Sequence, residues 1–265
     1  MALPAPPLPV DDEDWALFLD VDGTLLEIVE TPGEVFVPSA VRSVLQRLLP
    51  SLEGALALVS GRSLATLDRL FEPLRLPSAG LHGLERRDAA GAVHRQEVPR
   101  GKLEAAREAL GEFVERTPGA LLEDKGDALA LHFRRSPGAA PAAKRQAEEL
   151  VTALGEPLHV QNGKMVVEIK SQAACKGRSI AAFSREPPFA GRRPVFVGDD
   201  VTDEDGFEAV NALGGVSVRV GDLDATAAHY HLESVGALRR WLERLEEALR
   251  RRGPGRDTAS ERAGA

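Results

Sequence analysis

Asp20 and Asp22 stand two residues apart where the apolar run Leu17-Phe18-Leu19 ends, and Gly23 and Thr24 follow them. Side chains two apart on an extended chain point the same way, so both carboxylates can face one small volume. Like charges that close repel unless a cation lies between them or one of them holds a proton. Mg²⁺ suits such a pair, because this hard ion takes one or two carboxylates together with waters and substrate phosphate oxygens. The same residues also read as a polar strand-to-loop turn, since Asp and Gly are common turn formers.

Three further stretches carry groups that could act on a phosphate. Ser60-Gly61-Arg62 follows an apolar run at 55–59, and a hydroxyl just past a strand end can hydrogen-bond a phosphate oxygen. Capping of a helix over 64–71 by Ser60 or Ser63 is the alternative. Lys176 opens a helical pattern holding Ile180, Ala181 and Phe183. The helix dipole disfavours a cation there unless an anion calls for it, and solvent exposure is the other reading of any one lysine. Asp199-Asp200-Val201-Thr202-Asp203-Glu204-Asp205 follows an apolar run at 194–198 and packs five carboxylates into seven residues. A hard cation relieves that crowding, while Asp203, Glu204 and Asp205 also suit the first turn of a helix carrying Phe207 and Val210. His82 has no second histidine at a metal-ligand spacing and reads as structural from the residues alone.

Bringing these groups together takes a parallel sheet. The runs at 17–19, 55–59 and 194–198 are continuously apolar, as strands covered on both faces are, and open α/β sheets bind ligands beyond the carboxyl ends of such strands. Helices are expected over Val41, Val44, Leu45 and Leu48, with Ser39 as N-cap, and over Leu238, Leu242, Leu245 and Leu249. Residues 78–87, 93–98 and 216–221 read as further extended pieces. From about residue 100 the pattern changes to a helix with Leu103, Ala106, Leu110 and Phe113, then an alternating strand with Leu129, Leu131 and Phe133 on its one covered face. An Ala-rich helix from about 139 to 154 and a hairpin turning on Asn162-Gly163 follow. Helix, hairpin, helix, hairpin marks a small α+β unit set into the larger domain. The expected fold class is α/β: a doubly wound (Rossmann-like) parallel-sheet core over 15–99 and 173–250, a smaller inserted α+β cap domain over 100–172, a disordered lead over 1–14 and a disordered tail over 251–265.

Composition narrows the function. The chain has 265 residues and a net charge of −8, so it has no basic footprint for nucleic acid. A small phosphorylated ligand needs only local positive charge in a cleft. The single Cys175 excludes an internal disulfide and a four-cysteine zinc site, and reads as a small buried hydrophobe. The Pro-rich opening lacks both a basic segment and a continuous apolar core. Neither a signal peptide nor a membrane span is expected, and a cytoplasmic protein is.

In chain order, Asp20-Val21-Asp22-Gly23-Thr24, Ser60-Gly61-Arg62, Lys176 and the acid run from Asp199 resemble the four motifs of the haloacid dehalogenase (HAD) superfamily. Three further strings extend the match: Gly80-Leu81-His82-Gly83-Leu84-Glu85-Arg86-Arg87, Glu123-Asp124-Lys125-Gly126 through His132-Phe133-Arg134, and Asn162-Gly163-Lys164-Met165-Val166-Val167-Glu168-Ile169. With them the chain is similar, from about Leu17 to Leu249, to the trehalose-phosphatase family of that superfamily. The resemblance implies a HAD-like core under a mobile cap, and Mg²⁺-dependent hydrolysis of trehalose 6-phosphate through an aspartyl-phosphate, the last step of trehalose biosynthesis. It implies Asp20 as nucleophile and metal ligand, and Asp22 as acid, base and, through its carbonyl, metal ligand. Ser60 and Lys176 then hold phosphoryl oxygens, and Asp199 and Asp203 serve the metal. Substrate contacts fall on the same grounds to Thr24, Gly61, Arg62, His82, Glu123, Lys125 and Glu168. A monomer is expected, with trehalose-6-phosphate synthase as the candidate protein partner. One departure is Ser171-Gln172-Ala173-Ala174-Cys175, where the family often has an Asp beside the lysine. Two other readings share the core motifs: a phosphatase for another sugar phosphate such as sucrose phosphate, and a catalytically silent sugar-phosphate-binding domain, which would usually have lost Asp20 or Asp22.

Overall fold

The computed structural model describes residues 3–10, 13–28, 35–97, 100–126, 128–163, 165–171, 175–222 and 225–252. The first part of the core comprises β1 (Trp15–Leu19), α1 (Ser39–Ser51), β2 (Leu56–Val59), α2 (Leu64–Phe71), β3 (Ser78–Gly80), β4 (Glu85–Arg87) and β5 (Val93–Arg95). A second unit follows with α3 (Arg100–Glu115), β6 (Leu121–Asp124), β7 (Ala128–His132), α4 (Ala140–Leu154), β8 (Leu158–Gly163) and β9 (Val166–Ser171). The core resumes with α5 (Lys176–Phe183), β10 (Arg193–Gly198), α6 (Glu204–Ala212), β11 (Val216–Val220), β12 (Tyr230–Leu232) and α7 (Val235–Arg252).

Every residue of β1 is buried, so a layer must cover each of its faces. Alternation sends Trp15 and Phe18 to opposite sides. Trp15 stacks on Trp241 of α7, whereas Phe18 meets Phe183 of α5 and Phe189, which puts these helices on opposite sides of the sheet. α1 packs with α7, and α6 with α5. The eight core strands are ordered β12-β11-β10-β1-β2-β3-β4-β5, parallel from β12 to β3 and antiparallel for β4 and β5. This is a doubly wound α/β core with β1 in its interior.

The strands of the second unit pair as an antiparallel sheet in the order β6-β7-β9-β8. One face of that sheet, with Leu129, Leu131, Val167 and Ile169, packs on Leu103, Ala106, Leu110, Ala143 and Ala147 of α3 and α4. The pairing register sets two polar rows on the other face: Glu123, Ala130, Glu168 and Gln161, and beside them Lys125, Ala128, Lys170 and His159. That face was expected to meet solvent, yet Ala130 is 0% exposed. It lies against the core, where His82 approaches Glu168.

Several local expectations are corrected. Ser39 is the first helical residue of α1 and caps nothing; Pro38 holds the N-cap position, and its carbonyl accepts from Val41 and Arg42. Asn162 and Gly163 are paired inside the hairpin, level with Val167 and Val166, so the reversal falls later, with Met165 at φ 65. The Pro-rich lead is in part packed: Pro4 and Pro7 carbonyls accept from His231 and the Trp241 indole, and Leu8 lies on the core. Arg251 and Arg252, assigned to the tail, belong to α7, and the rest of that tail lies outside the described residues, as do residues 1, 2, 11, 12, 98, 99 and 172–174. Short charged β4 is a strand because Arg86 pairs with Glu186 over the Phe183 ring and Arg87 pairs with Asp68.

Candidate active site

β1, β2 and β10 are parallel neighbours, so the residues just past their carboxyl ends, Asp20, Ser60 and Asp199, share one edge of the sheet. The Asp20 amide donates to the Val197 carbonyl at 2.9 Å. Its carboxylate accepts from Lys176 Nζ at 2.9 Å. The Thr24 hydroxyl lies 2.7 Å from Asp199 Oδ1 and 3.4 Å from Asp20 Oδ2, tying the two acids together. Gly23 turns the chain at φ +84, and a Cβ there would stand 2.0 Å from Asp199 Oδ2. Only glycine admits this approach.

Lys176 is the first residue of α5 and is 2% exposed. Its ammonium bridges Asp20 and Asp203, the latter at 2.6 Å. The second oxygen of Asp203 accepts from the Asp199 and Asp200 amides at 3.1 and 3.0 Å. Asp203 therefore has both oxygens occupied, whereas Asp200 is an exposed cap of the turn at Val201–Asp203. One oxygen from each of Asp20, Asp199 and Asp203 lies within 4.8 Å of the others. Three carboxylates against one ammonium leave two negative charges in a buried place. Burial, with the Asp203 and Asp199 charges added, pushes the Asp20 carboxyl well above the usual range despite Lys176. Burial and Asp203 push Asp199 up to about 6. Burial alone would lower Lys176, but the Asp20 and Asp203 charges hold it above an ordinary lysine.

Asp22 stands outside this cluster. The strand ends at Leu19, so the alternation that would align it with Asp20 no longer applies, and its carboxylate takes Arg62 Nε and Nη2 at 2.6 Å each. Ser63, not Ser60, caps α2. Buried Ser60 accepts from the Arg62 amide at 3.1 Å and keeps its hydroxyl proton to donate. Asp22, Gly61 and Arg62 line a cavity of about 500 Å³ whose far wall is Glu123 and Lys125 of the second unit. Glu123 pairs with His132 at 2.9 Å, and Lys125 with Glu168 at 2.6 Å. His82, at φ 56, rests on Gly61 with Nε2 4.0 Å from Glu168. Burial, reinforced by Lys170, Lys176 and Lys125, holds its pKa well below the usual value, so the ring is neutral near pH 7. All the residues singled out from the sequence thus fall at one edge of the core or on the face of the second unit that meets it.

The Arg62–Asp22 pair and the double acceptance by Asp203 carried no local sequence signal. Lys170 did, because like Glu168 it breaks an apolar strand at period two. Cys175, read from the sequence as a small buried hydrophobe, is only partly buried and caps α5, its Sγ accepting from the Arg178 amide at 3.4 Å. Burial and Asp205 push its thiol up to about 11. A raised pKa keeps the thiol protonated until strongly alkaline pH, so alkylation by iodoacetamide at pH 8, followed by mass spectrometry, should run about a hundredfold slower than for free cysteine. A rate like that of the free amino acid would contradict this environment.

The sequence pattern of the family described as "Trehalose-phosphatase" matches residues 18–235. The trehalose-6-phosphate phosphatase of Escherichia coli (strain K12) is 45% identical over 238 residues, covering 90% of this chain and 89% of that protein. The trehalose-6-phosphate phosphatase C-terminal domain of C. albicans superimposes with a TM-score of 0.78 over 89% of this chain and 93% of its own, at 23% identity. A phosphatase of the haloalkanoate (HAD) enzyme superfamily from Bacteroides thetaiotaomicron does so with a TM-score of 0.62, at 18% identity, over 93% and 98%. At those identities the two structural likenesses speak to the fold.

Proposed function

The chain belongs to the trehalose-phosphatase family, and on that premise we propose that this phosphoric monoester hydrolase takes trehalose 6-phosphate to trehalose and phosphate with Asp20 as nucleophile. The observation that carries the reading is a buried carboxylate at a strand end, bound to Lys176 and linked through Thr24 to Asp199, two residues from Asp22, which lines a cavity walled on the other side by Glu123 and by Lys125, itself paired with Glu168.

Asp20 attacks phosphorus, the bond to the sugar oxygen breaks, and an aspartyl-phosphate forms, which divides a slow hydrolysis into two easier steps. Asp22, whose carboxylate Arg62 holds in this arrangement, leaves that guanidinium and takes up a proton from water before giving it to the leaving sugar oxygen, and it regains one from the water that cleaves the aspartyl-phosphate. Ser60 donates to a phosphoryl oxygen, and Lys176, oriented by Asp203, offsets the charge. The donor set fits Mg²⁺: all oxygen, with two surplus negative charges and raised carboxyl pKa values. Asp20, Asp199 and the Asp22 carbonyl would hold the ion, which when bound would neutralise charge on the nucleophile and phosphoryl oxygens. Thr24 holds Asp199 in place for that role.

Sugar recognition falls to Glu123, Lys125 and Glu168, with neutral His82 beside Glu168, on a module that we assign as the cap. Charged groups read sugar hydroxyls well, each such bond contributing about 1.5 to 3 kcal/mol. The proposed setting is the cytoplasm, with a single chain as the functional unit and trehalose-6-phosphate synthase supplying the substrate. Among the described residues no helix is long and apolar enough to cross a membrane.

A phosphate-release panel over trehalose 6-phosphate, sucrose 6-phosphate and glucose 6-phosphate tests the substrate, and preference for either of the latter two would overturn it. On trehalose 6-phosphate, Glu168→Ala should lower kcat/KM roughly tenfold or more while leaving a small aryl phosphate nearly untouched. A parallel fall on both substrates would assign Glu168 to domain packing instead of sugar recognition.

A further inference from the structure

A second cavity, of about 540 Å³, opens on the β8 side of the same polar face. His159, Gln161 and Lys170 wall it from the cap, and Cys175, Arg178 and Asp205 from the core. Lys170 of β9 and Cys175, the cap of α5, stand on its two sides. Its volume suits a small ligand, and none of Lys170, Arg178, Asp205 and His159 takes part in the chemistry above.

Lys170 is 4% exposed. Among the described residues no hydrogen bond or ion pair reaches its ammonium, and Glu168 and Asp205 attract it only from a distance. Burying a charge without a contact partner is costly unless something else supplies the partner. Asp205 Oδ1 and His159 Nδ1, in the same walls, are likewise buried with no partner among the described residues. Arg178 makes no ion pair among them either. Two cations against one carboxylate leave a single positive charge, together with an unused acceptor on Asp205 that asks for a hydroxyl donor.

We propose that this cavity is a regulatory site for a small hydroxylated oxyanion, whose anionic group sits on Lys170 and Arg178 and whose hydroxyl donates to Asp205. A ligand held by both units binds this arrangement of cap and core in preference to a separated one, and so shifts the population toward it. The effect on turnover rests on the proposed function, in which the second unit is a cap that parts from the core to release product. Bound oxyanion therefore lowers kcat and KM together, unlike a molecule that competes for the phosphoryl site. The inference is independent of which sugar phosphate is hydrolysed.

Titration calorimetry under chelation, which stops turnover, uses sodium D-glycerate as the carboxylate probe and sn-glycerol 3-phosphate as the phosphate probe. At least one should bind the parent at concentrations up to about 10 mM. Lys170→Met and Arg178→Ala should each weaken it tenfold or more, and Ser60→Ala should leave it unchanged. With Mg²⁺ restored, the same probe should lower kcat and KM in proportion for p-nitrophenyl phosphate in the parent, and do neither in Arg178→Ala. Arg178 is exposed, so its variant carries the test if Lys170→Met does not fold. Absence of binding by both probes, binding indifferent to Arg178 and Lys170, or purely competitive inhibition would each overturn the proposal.

Discussion

Asp20→Asn should yield a folded protein whose turnover falls to the uncatalysed background, a loss on the order of 10⁴-fold or more. The amide is nearly the same shape as the carboxylate but is no nucleophile. Folding should not suffer, because the charge it removes is one that burial and two neighbouring acids already disfavour. Lys176 keeps Asp203 as partner at 2.6 Å. The melting temperature measured without metal should thus equal or exceed the parent's. A folded variant that still releases phosphate at the parent's rate would remove Asp20 from the mechanism.

Exhaustive chelation should silence the enzyme to a similar degree, and Mg²⁺ should restore it where Ca²⁺ does so poorly, since Ca²⁺ prefers longer and looser coordination. A second readout needs no turnover. The folded pKa of Asp199 is about 6 against an ordinary 3.8, so the protonated acid contributes stability that is complete below the unfolded value and lost as pH rises through about 6. The metal-free protein then bears the full repulsion at pH 7.5, and a divalent ion relieves it. The gap in melting temperature between Mg²⁺-loaded and chelated protein should widen from pH 5 to pH 7.5. A gap independent of pH, or full activity after chelation, would contradict a metal at these acids.

The parts of this molecule legible from sequence are those whose physics is local. β1, β2 and β10 announce themselves as apolar runs because both of their faces are covered, and α1 and α7 because their buried residues keep helical spacing. Asp20, Ser60, Lys176 and Asp199 were readable as strand-end or helix-start groups. What was not readable depends on partners far away in the chain. β4 was legible as an extended piece, but the partners that let so charged a strand be buried, Glu186 for Arg86 and Asp68 for Arg87, were not. The lead looks unstructured until its carbonyls meet His231 and Trp241. Asp22 seemed aligned with Asp20 until a turn and Arg62, forty positions on, set it aside. The hairpin failed differently: its Asn-Gly signal was real, but strand pairing placed the reversal beyond it.

β1 acquires its two neighbours on unequal schedules. Its partner on one flank, β2, ends at Val59, while the partner on the other, β10, begins only at Arg193. At ordinary translation rates the ribosome needs on the order of ten seconds to make what lies between. Throughout that time the growing chain carries an apolar strand whose second flank has nothing to pair with, and an unpaired flank is a template for mispairing with another nascent chain. The hazard in this architecture therefore belongs to synthesis and not to the finished protein, and it peaks while the inserted unit is still emerging. Whatever lengthens that interval, such as a slow codon within the insertion, prolongs the exposure of the very strand that leads into Asp20.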